Sequence, residues 1–194
     1  MIPVKIPTEL LVDMGDIEYG YWDYKNKKKI TIHDPEYKIE TYQEENGCVT
    51  KPEVTWKNKL GTCWECSLFE YASLSQLSII DEIYTFYIEG NNKGKPDIFH
   101  SGVIFHYKFK TKQWSSPRWH WFENWFPLYG VNGPWYTRAE VEEFICKVTD
   151  KFFPNKGIFF NSGYDVESLL HQKGTITVPQ YLEVARGKKY KFPY

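Results

Sequence analysis

The chain has 194 residues, with 24 basic and 25 acidic side chains and a formal net charge of −1 at pH 7. This length allows one domain with a substantial core, and the balanced charge excludes a strong general attraction to nucleic acid or to an anionic membrane. The first residues contain no long apolar run, and the four cysteines are too few and too scattered for a disulfide framework. We therefore expect neither a secretory signal nor a membrane span, and a reduced, cytoplasmic setting.

The N-terminal part of the chain predicts a short helix followed by a hairpin. Residues 8–16 have the pattern of a helix, and the aromatic segment 17–24 precedes an alternating strand at 29–33. The lysine-rich run at 25–29 predicts the hairpin tip in preference to a basic patch for a polyanion, because the overall charge is balanced.

Three of the T-x-x-E motifs in the chain are interpreted as capping boxes, in which a threonine and a glutamate satisfy the free N–H groups that begin a helix. They are Thr50–Glu53, Thr62–Glu65 and Thr137–Glu140. The first predicts a short helix with Pro52 at a permitted early position. The second makes Cys63 the first residue of a helix, where the free N–H groups and the helix macrodipole stabilise a thiolate.

The helix that begins at Cys63 is predicted to be half-buried, with one apolar or small face and one polar face. The first face comprises Trp64, Ser67, Leu68, Tyr71, Ala72 and Ser75, and the second comprises Glu65, Glu70, Ser73 and Gln76. A cysteine that opens such a helix just after a glycine is typical of the nucleophile in cysteine acyl-transfer enzymes. A small buried cysteine is the commoner role of this residue type, so the motif alone leaves both interpretations open.

After this helix the pattern changes to strands, because aromatic and β-branched residues become dominant. The predicted strands lie at 79–89, 99–110 and 119–126, with an edge strand at 157–160, and further helices are predicted after Thr137 and at 165–171 and 179–186. A helix followed by three successive strands indicates an α+β domain, with the helix packed on a mainly antiparallel sheet.

A cysteine nucleophile needs a base, and His100 has the most suitable position among the five histidines. It lies at the start of a predicted strand just after a Pro-Asp turn, where a strand end can meet a helix N-terminus. His106 shares its face but lies about 20 Å further along, at ~3.3 Å per residue. His33 and His171 have weaker contexts and are interpreted as solvated or structural side chains.

The base in turn needs an acceptor that orients it, and Glu123 and Asn124 lie among the aromatic residues of the third predicted strand. A charged residue in an aromatic strand is costly unless it is paired, so Glu123 needs a cation, and His100 is a suitable one. The alternative is an outward-facing glutamate on a half-exposed sheet, and the spacing leaves both interpretations open.

The order of cysteine, histidine and acid, written as G-T-C-W-E, H-S-G-V-I-F and W-F-E-N-W, resembles the bacterial transglutaminase-like branch of the papain-like cysteine enzymes. The likeness covers residues 50–130 well and the flanks in outline. It implies one transglutaminase-like domain over residues 1–194, with a papain-like core in which the helix bearing the nucleophile packs on an antiparallel sheet.

By this resemblance, Cys63 is the nucleophile, His100 the general base and acid, and Glu123 the group that orients and charge-balances the imidazole. The family usually has aspartate at the third position and papain-type relatives use asparagine, so Asn124 is a second orienting candidate. The oxyanion hole would use the backbone N–H of Cys63. Resemblance to the indole used in transglutaminases makes Trp56 a candidate for the second donor.

The expected activity is cysteine-dependent acyl transfer on an amide or peptide bond, through a Cys-His-Glu triad and a thioester intermediate. Hydrolysis, as in a cysteine peptidase or amidase, is favoured over transamidation. The expected partner is a peptide or protein amide substrate, with no nucleic acid, no membrane, no cofactor and no metal. The sequence does not specify an oligomeric state.

Three other functions are compatible with parts of the sequence. Cys63 and Cys66 match a C-x-x-C redox motif, but no Gly-Pro or similar pair separates them and no βαβ pattern surrounds them. A zinc site would need further ligands, and Cys48 and Cys146 lack metal-like spacing. A non-catalytic binding module could line a ligand cleft with Trp114, Trp119, Trp121, Trp125 and Trp135. Chemically competent residues at all three triad positions favour the enzyme.

Overall fold

The structure is a computed structural model that describes most of the chain. The described residues are 7–23, 25–38, 48–90, 98–108, 118–123, 130–151, 156–160, 163–187 and 189–190. The helices are α1 (Pro7–Gly15), α2 (Pro52–Asn58), α3 (Cys63–Leu74), α4 (Arg138–Asp150), α5 (Gly163–His171) and α6 (Val178–Ala185). Within these described ranges, no helix combines the length and the apolar character that crossing a membrane requires.

The strands form one large sheet and two small ones. They are β1 (Glu18–Asp23), β2 (Lys28–Thr31), β3 (Cys48–Val49), β4 (Leu60–Gly61), β5 (Ile80–Gly90), β6 (Ile98–Tyr107), β7 (Arg118–Glu123), β8 (Gly130–Trp135), β9 (Lys156–Phe160), β10 (Ile176–Thr177) and β11 (Lys189–Tyr190). Among the described residues, the large sheet has the strand order β11-β9-β5-β6-β7-β8, and its neighbours are antiparallel. β1 pairs antiparallel with β2 and parallel with β4, and β3 pairs antiparallel with β10.

The predicted α+β class is confirmed, and α3 is followed by the antiparallel strands β5, β6 and β7 as the pattern predicts. The strand predicted at 157–160 is confirmed as β9, but its predicted edge position is wrong, because β9 pairs with β5 on one side and with β11 on the other. Because β11 comes much later in the chain, the residues around β9 contain no pattern that predicts this pairing. The pattern does not predict β8, because Gly133 and Pro134 are residues typical of turns.

A helix packs on each face of the large sheet. α3 contacts β5 and β6 on one face, and α4 contacts β7 and β8 on the other. The core on the α3 side includes Tyr87, Val103, Phe105 and Phe122, and the core on the α4 side includes Phe86, Ile88, Ile104 and Trp121. Because side chains alternate along a strand, the central strands are buried on both faces.

Helix α3 is the central element of the fold, and all 12 of its residues are buried. The sheet covers one side, and α1, α2 and β4 pack on other parts of its surface. The prediction of a half-buried helix is therefore wrong: Glu65, Glu70 and Ser73, assigned to a polar outer face, are 2%, 1% and 0% exposed. A local pattern assigns charged residues to solvent because burying them is costly, and it cannot detect that other elements cover that face.

Local capping explains where the helices begin. The boxes at Thr62–Glu65 and Thr137–Glu140 are both formed, with side chain and backbone bonded reciprocally. The box predicted at Thr50–Glu53 is wrong, because the extended Lys51 (φ −71°, ψ 155°) is the N-cap and no side chain caps this helix. The Thr50 hydroxyl is instead hydrogen-bonded to the Thr55 hydroxyl at 2.9 Å.

Candidate active site

Cys63 is positioned by the strand that precedes its helix. β4 pairs in parallel with β1, and this pairing sets Gly61 beside Tyr19. A Cβ atom at Gly61 would lie 3.0 Å from the Cβ of Glu65, so glycine allows the strand to approach the first turn of α3 closely. The chain then turns at Thr62, and Cys63 becomes the first helical residue, with 5% of its surface exposed.

A buried capping box fixes this first turn. Glu65 Oε2 accepts hydrogen bonds from the Thr62 N–H at 2.9 Å and from the Thr62 hydroxyl at 2.5 Å, and Oε1 accepts from the Thr50 N–H at 3.3 Å. Burial raises the pKa of Glu65 to about 7, although the N–H groups act in the opposite direction. The Thr62 side-chain oxygen accepts hydrogen bonds from the N–H groups of Trp64 and Glu65. The N–H group of Cys63 must therefore bond to another acceptor.

His100 and Glu123 meet at one end of the large sheet. β6 and β7 are antiparallel neighbours with Val103 opposite Phe122, so the start of β6 lies beside the end of β7. His100 Nε2 is 2.8 Å from Glu123 Oε2. The two side chains are 8% and 1% exposed, and the Phe86 ring meets the imidazole edge-on at a centroid distance of 6.1 Å. The sheet therefore forms a histidine–carboxylate pair that is shielded from water.

The charge of this pair decides the state of His100. Burial alone would lower the pKa of the imidazole, because it disfavours the charged form. Burial is the largest single influence, but the charge of Glu123, the hydrogen bonds to Cys63 and Glu123 and the charge of Cys63 together outweigh it, so the pKa rises to about 10. His100 is therefore an imidazolium at neutral pH, and an imidazolium beside a thiol stabilises the thiolate.

A side-chain hydrogen bond joins Cys63 to His100. Because Nε2 is bonded to Glu123, Nδ1 is the ring nitrogen that remains for the Cys63 sulfur. The structure thus brings the three predicted site residues into one chain of contacts, from thiol to imidazole to carboxylate. This arrangement allows a thiolate–imidazolium pair with a carboxylate behind the ring.

Glu70 is a further ionisable group beside these three residues. It lies on α3 two turns after Cys63, it is 1% exposed, and it interacts electrostatically with Glu123 and His100. Burial raises the pKa of Glu70 well above its ordinary value, the charge of Glu123 raises it further, and His100 lowers it. A protonated Glu70 avoids a second negative charge beside Glu123. The i, i+7 spacing from Cys63 is the sequence signal that identifies it.

Replacing Glu70 with glutamine is expected to stabilise the protein increasingly as the pH rises. A carboxyl whose pKa is raised in the folded state stabilises below its ordinary pKa, here 4.5, and this contribution is lost as the pH rises through the folded-state pKa. Glutamine has a similar shape and no proton to lose. Thermal unfolding is measured at about pH 5 and at about pH 8. Between these two values, the decrease in melting temperature should be smaller in the variant than in the wild type by ~2 °C or more.

Glu53→Gln is the matched control for this prediction, because Glu53 is an exposed residue of α2. This substitution should leave the pH dependence of the melting temperature unchanged. If Glu70→Gln followed the wild-type curve at every pH, Glu70 would not be the buried, protonated group described above.

The two remaining site candidates differ in what the structure describes. Trp56 lies on α2, where its ring stacks on Phe69 at a centroid distance of 5.5 Å and an angle of 6°, and Lys59 Nζ is 2.9 Å from the ring centre. Phe69 comes six residues after Cys63, which is about 9 Å along the helix axis. The role of Trp56 as an oxyanion donor stays a prediction. Asn124 lies outside the described residues.

The other histidines occupy structural or exposed positions. His106 Nδ1 is 2.7 Å from Asp81 Oδ1 near the far end of β6. His120 is buried within the sheet, and burial lowers its pKa to about 4. His33 and His171 are exposed. None of these four positions supplies the contact to Cys63 and Glu123 that is described for His100.

The cysteines are free thiols, with Cys63, Cys66 and Cys146 buried and Cys48 half-buried. Cys66 lies one turn after Cys63 on α3. In the described ranges, no group of three or more histidine, cysteine, aspartate or glutamate side chains could hold a metal ion. The thiol chemistry of the site therefore centres on the first turn of α3.

The tryptophans considered as the lining of a ligand cleft have other positions. Trp119 and Trp121 are 5% and 0% exposed, and they pack in the core on the α4 side of the sheet. Trp135 is half-buried against the same core. Trp114 and Trp125 lie outside the described residues. Trp119 and Trp121 are therefore core residues, and a cleft lined by these two side chains is wrong.

None of the protein-family models, curated proteins and solved structures compared with the chain matches it. These comparisons therefore supply no relative whose fold or function bears on the site. The chemistry that the site can perform follows from its own geometry and electrostatics.

Proposed function

We propose that this protein catalyses cysteine-dependent acyl transfer on an amide or peptide bond. The observation that carries the proposal is the chain of contacts from Cys63 through His100 to Glu123 at the buried first turn of α3. Each group has the chemistry that its position requires: a nucleophile at a helix N-terminus, a base beside it, and a carboxylate behind the base.

In the first half-reaction, the Cys63 thiolate attacks the carbonyl carbon of the substrate, and the carbonyl oxygen becomes an oxyanion. The backbone N–H of Cys63 is one donor to that oxyanion. When the tetrahedral intermediate collapses, the C–N bond breaks and the His100 imidazolium gives its proton to the leaving amine. The acyl group is then a thioester on Cys63, and the imidazole is neutral.

In the second half-reaction, the neutral His100 removes a proton from water while the water oxygen attacks the thioester carbon. Collapse of the second intermediate expels the Cys63 thiolate, releases the carboxylic acid and restores the imidazolium. An amine in place of water gives transamidation by the same steps. We favour hydrolysis, because Cys63 is only 5% exposed and water needs a narrower opening than an amine carried by a peptide.

Glu123 supports both half-reactions without exchanging a proton. Its bond to Nε2 orients the ring and leaves Nδ1 for the sulfur, and its charge stabilises the imidazolium. Glutamate here replaces the aspartate that is usual in the family that the sequence resembles. The 2.8 Å contact to His100 indicates that the extra methylene group is accommodated at the end of β7.

We also propose that the fold is a transglutaminase-like variant of the papain-like core, in one domain over residues 1–194. The support is the chain order: α3 begins with the cysteine, β6 carries the histidine near its start, and β7 ends with the acid. α3 packs on an antiparallel sheet, which this core requires. The free cysteines fit a reducing, cytoplasmic setting.

Detection of the acyl-enzyme tests this function. The protein is incubated with p-nitrophenyl acetate or with a mixture of peptide amides, with and without a primary amine, and is quenched in acid. Peptide mass spectrometry then locates the acyl group. We expect an adduct on Cys63 and none on Cys66, the buried thiol one turn later in the same helix.

Absence of both the adduct and any Cys63-dependent turnover, from a folded protein, would argue against acyl transfer. Peptide mass spectrometry of a second, mildly oxidised sample addresses the redox alternative, which requires a disulfide between Cys63 and Cys66. The binding-module alternative gains no support from Trp119 and Trp121, because both are buried in the core.

A further inference from the structure

Tyr19 lies beside the proposed nucleophile, although it comes from the N-terminal part of the chain. The parallel pairing of β1 with β4 places Tyr19 opposite Gly61, two residues before Cys63. The Tyr19 hydroxyl is hydrogen-bonded to Cys63 twice, once to the side chain and once to the backbone N–H. Tyr19 is half-buried, so part of the side chain reaches solvent while its oxygen contacts the start of α3.

The Cys63 N–H is the donor that an oxyanion at this site requires. In the capping box, the Thr62 oxygen accepts hydrogen bonds from the N–H groups of Trp64 and Glu65. The Tyr19 oxygen accepts the hydrogen bond from the N–H of Cys63. The oxygen of a tetrahedral intermediate on Cys63 must lie at hydrogen-bond distance from this same N–H. In the free protein, the phenol oxygen therefore accepts from the same N–H group that an oxyanion at Cys63 would use.

Entry of a substrate carbonyl oxygen displaces the phenol oxygen from the N–H. In the thiolate state the sulfur has no proton, so the Tyr19 O–H is the donor in its bond to Cys63. When the sulfur forms its bond to carbon it loses its negative charge, and the charge appears on the adjacent oxygen. The phenol O–H then lies next to the oxyanion, which has become a stronger hydrogen-bond acceptor than the sulfur. A hydrogen bond to the oxyanion that strengthens as its charge develops lowers the activation barrier of acylation.

A second tyrosine holds Tyr19 in place. Tyr37 is hydrogen-bonded to Tyr19, with the ring centroids 6.5 Å apart, and its ring packs on Tyr21 at 5.7 Å. The Tyr21 hydroxyl donates in turn to the Lys38 carbonyl oxygen at 3.2 Å. Burial raises the pKa of Tyr19, and the nearby Cys63 raises it further, so the phenol keeps its proton and remains a donor.

We propose that the Tyr19 hydroxyl is the second donor to the oxyanion formed at Cys63, in place of the Trp56 indole. This assignment rests on the proposed acyl-transfer function. It makes Tyr19 a catalytic residue, because its hydroxyl contacts the reacting oxygen. The phenol donates a hydrogen bond and keeps its proton throughout, so the proton balance of the two half-reactions is unchanged.

The experiment compares two reactions of the same thiol in the wild type and in Tyr19→Phe. p-Nitrophenyl acetate acylates Cys63 through an oxyanion, whereas iodoacetamide alkylates it by displacement of iodide and forms none. We expect Tyr19→Phe to lower the single-turnover acylation rate by ~100-fold and to leave the alkylation rate near that of the wild type. The alkylation rate also reports that the first turn of α3 is intact in the variant.

Tyr37→Phe is the matched control, because it removes a hydroxyl group from the same aromatic cluster. It should keep acylation within about tenfold of the wild type, since it removes a hydrogen bond to Tyr19 and none to the oxyanion. Trp56→Phe should likewise retain acylation.

Three results would overturn the assignment, and they differ in what else they overturn. Unchanged acylation in Tyr19→Phe, with a wild type that is acylated at Cys63, removes the role of Tyr19 and leaves the proposed function standing. An equal fall in acylation and alkylation also removes it, because Tyr19 would then act on the thiol alone. A wild type acylated no faster than Cys63→Ala overturns the proposed function and this assignment together.

Discussion

Replacing Cys63 with alanine is expected to lower the rate of acyl transfer by ~10⁴-fold or more, because no thioester can form without the sulfur. Alanine lacks only the sulfur atom, and the capping box of Thr62 and Glu65 holds the first turn of α3 independently of it. The measurement is kcat/KM with p-nitrophenyl acetate and with any peptide amide that the wild type cleaves. Circular dichroism of the variant checks that the fold is retained.

Cys66→Ala is the matched control for this prediction. Cys66 is 3% exposed and lies one turn after Cys63, so its substitution removes the same atom from the same buried helix. Its activity should remain close to that of the wild type. Equal losses of activity in Cys63→Ala and Cys66→Ala would indicate disturbed packing or dithiol chemistry. Full activity in Cys63→Ala would exclude Cys63 as the nucleophile.

Replacing Glu123 with alanine is expected to lower the free energy of unfolding by about 3–5 kcal/mol, because it leaves the buried His100 without its carboxylate partner. The pKa of His100 is raised from 6.5 to about 10 in the folded protein. The stabilisation is therefore complete below about pH 6.5 and is lost as the pH rises through about 10. Urea unfolding across this range should show the largest difference from the wild type at the acidic end.

The chain offers a matched control for Glu123→Ala in the pair formed by His106 and Asp81, which are 2.7 Å apart. The chemistry is the same, but these side chains are 17% and 39% exposed, against 8% and 1% for His100 and Glu123. Solvent screening limits an exposed pair to about 0–1 kcal/mol, so Asp81→Ala should have a small effect. Equal effects of the two substitutions would contradict the description of the His100 pair as desolvated.

Rules that concern neighbouring residues predict much of this fold. The capping box of Thr62 and Glu65 places the start of α3 at Cys63, because both halves of the motif lie within one helical turn. Composition locates β5, β6 and β7, because aromatic and β-branched residues favour strands whatever their partners. The contact between His100 and Glu123 follows from antiparallel pairing, which sets the start of β6 beside the end of β7.

The features that the sequence does not predict depend on contacts between distant parts of the chain. Glu70 has the polarity of a surface residue, and its burial results from other elements packing around α3. Tyr19 reaches Cys63 only through the parallel pairing of β1 with β4, which no local pattern encodes. The motif at Thr50–Glu53 matches a capping box, yet the Thr50 hydroxyl is bonded to Thr55. Local periodicity therefore identifies the elements but not what covers them.

The central claim is that Cys63 and His100 form a thiolate–imidazolium pair, and the pH profile of iodoacetamide alkylation tests it most directly. Peptide mass spectrometry gives the rate for each cysteine in the wild type and in His100→Ala. We expect Cys63 to react below about pH 7 far faster than Cys48, and to slow in the variant. Cys48 is the more exposed thiol, so burial alone predicts the opposite order. Alkylation of Cys63 that is no faster than that of Cys48 and is indifferent to His100 would contradict the claim.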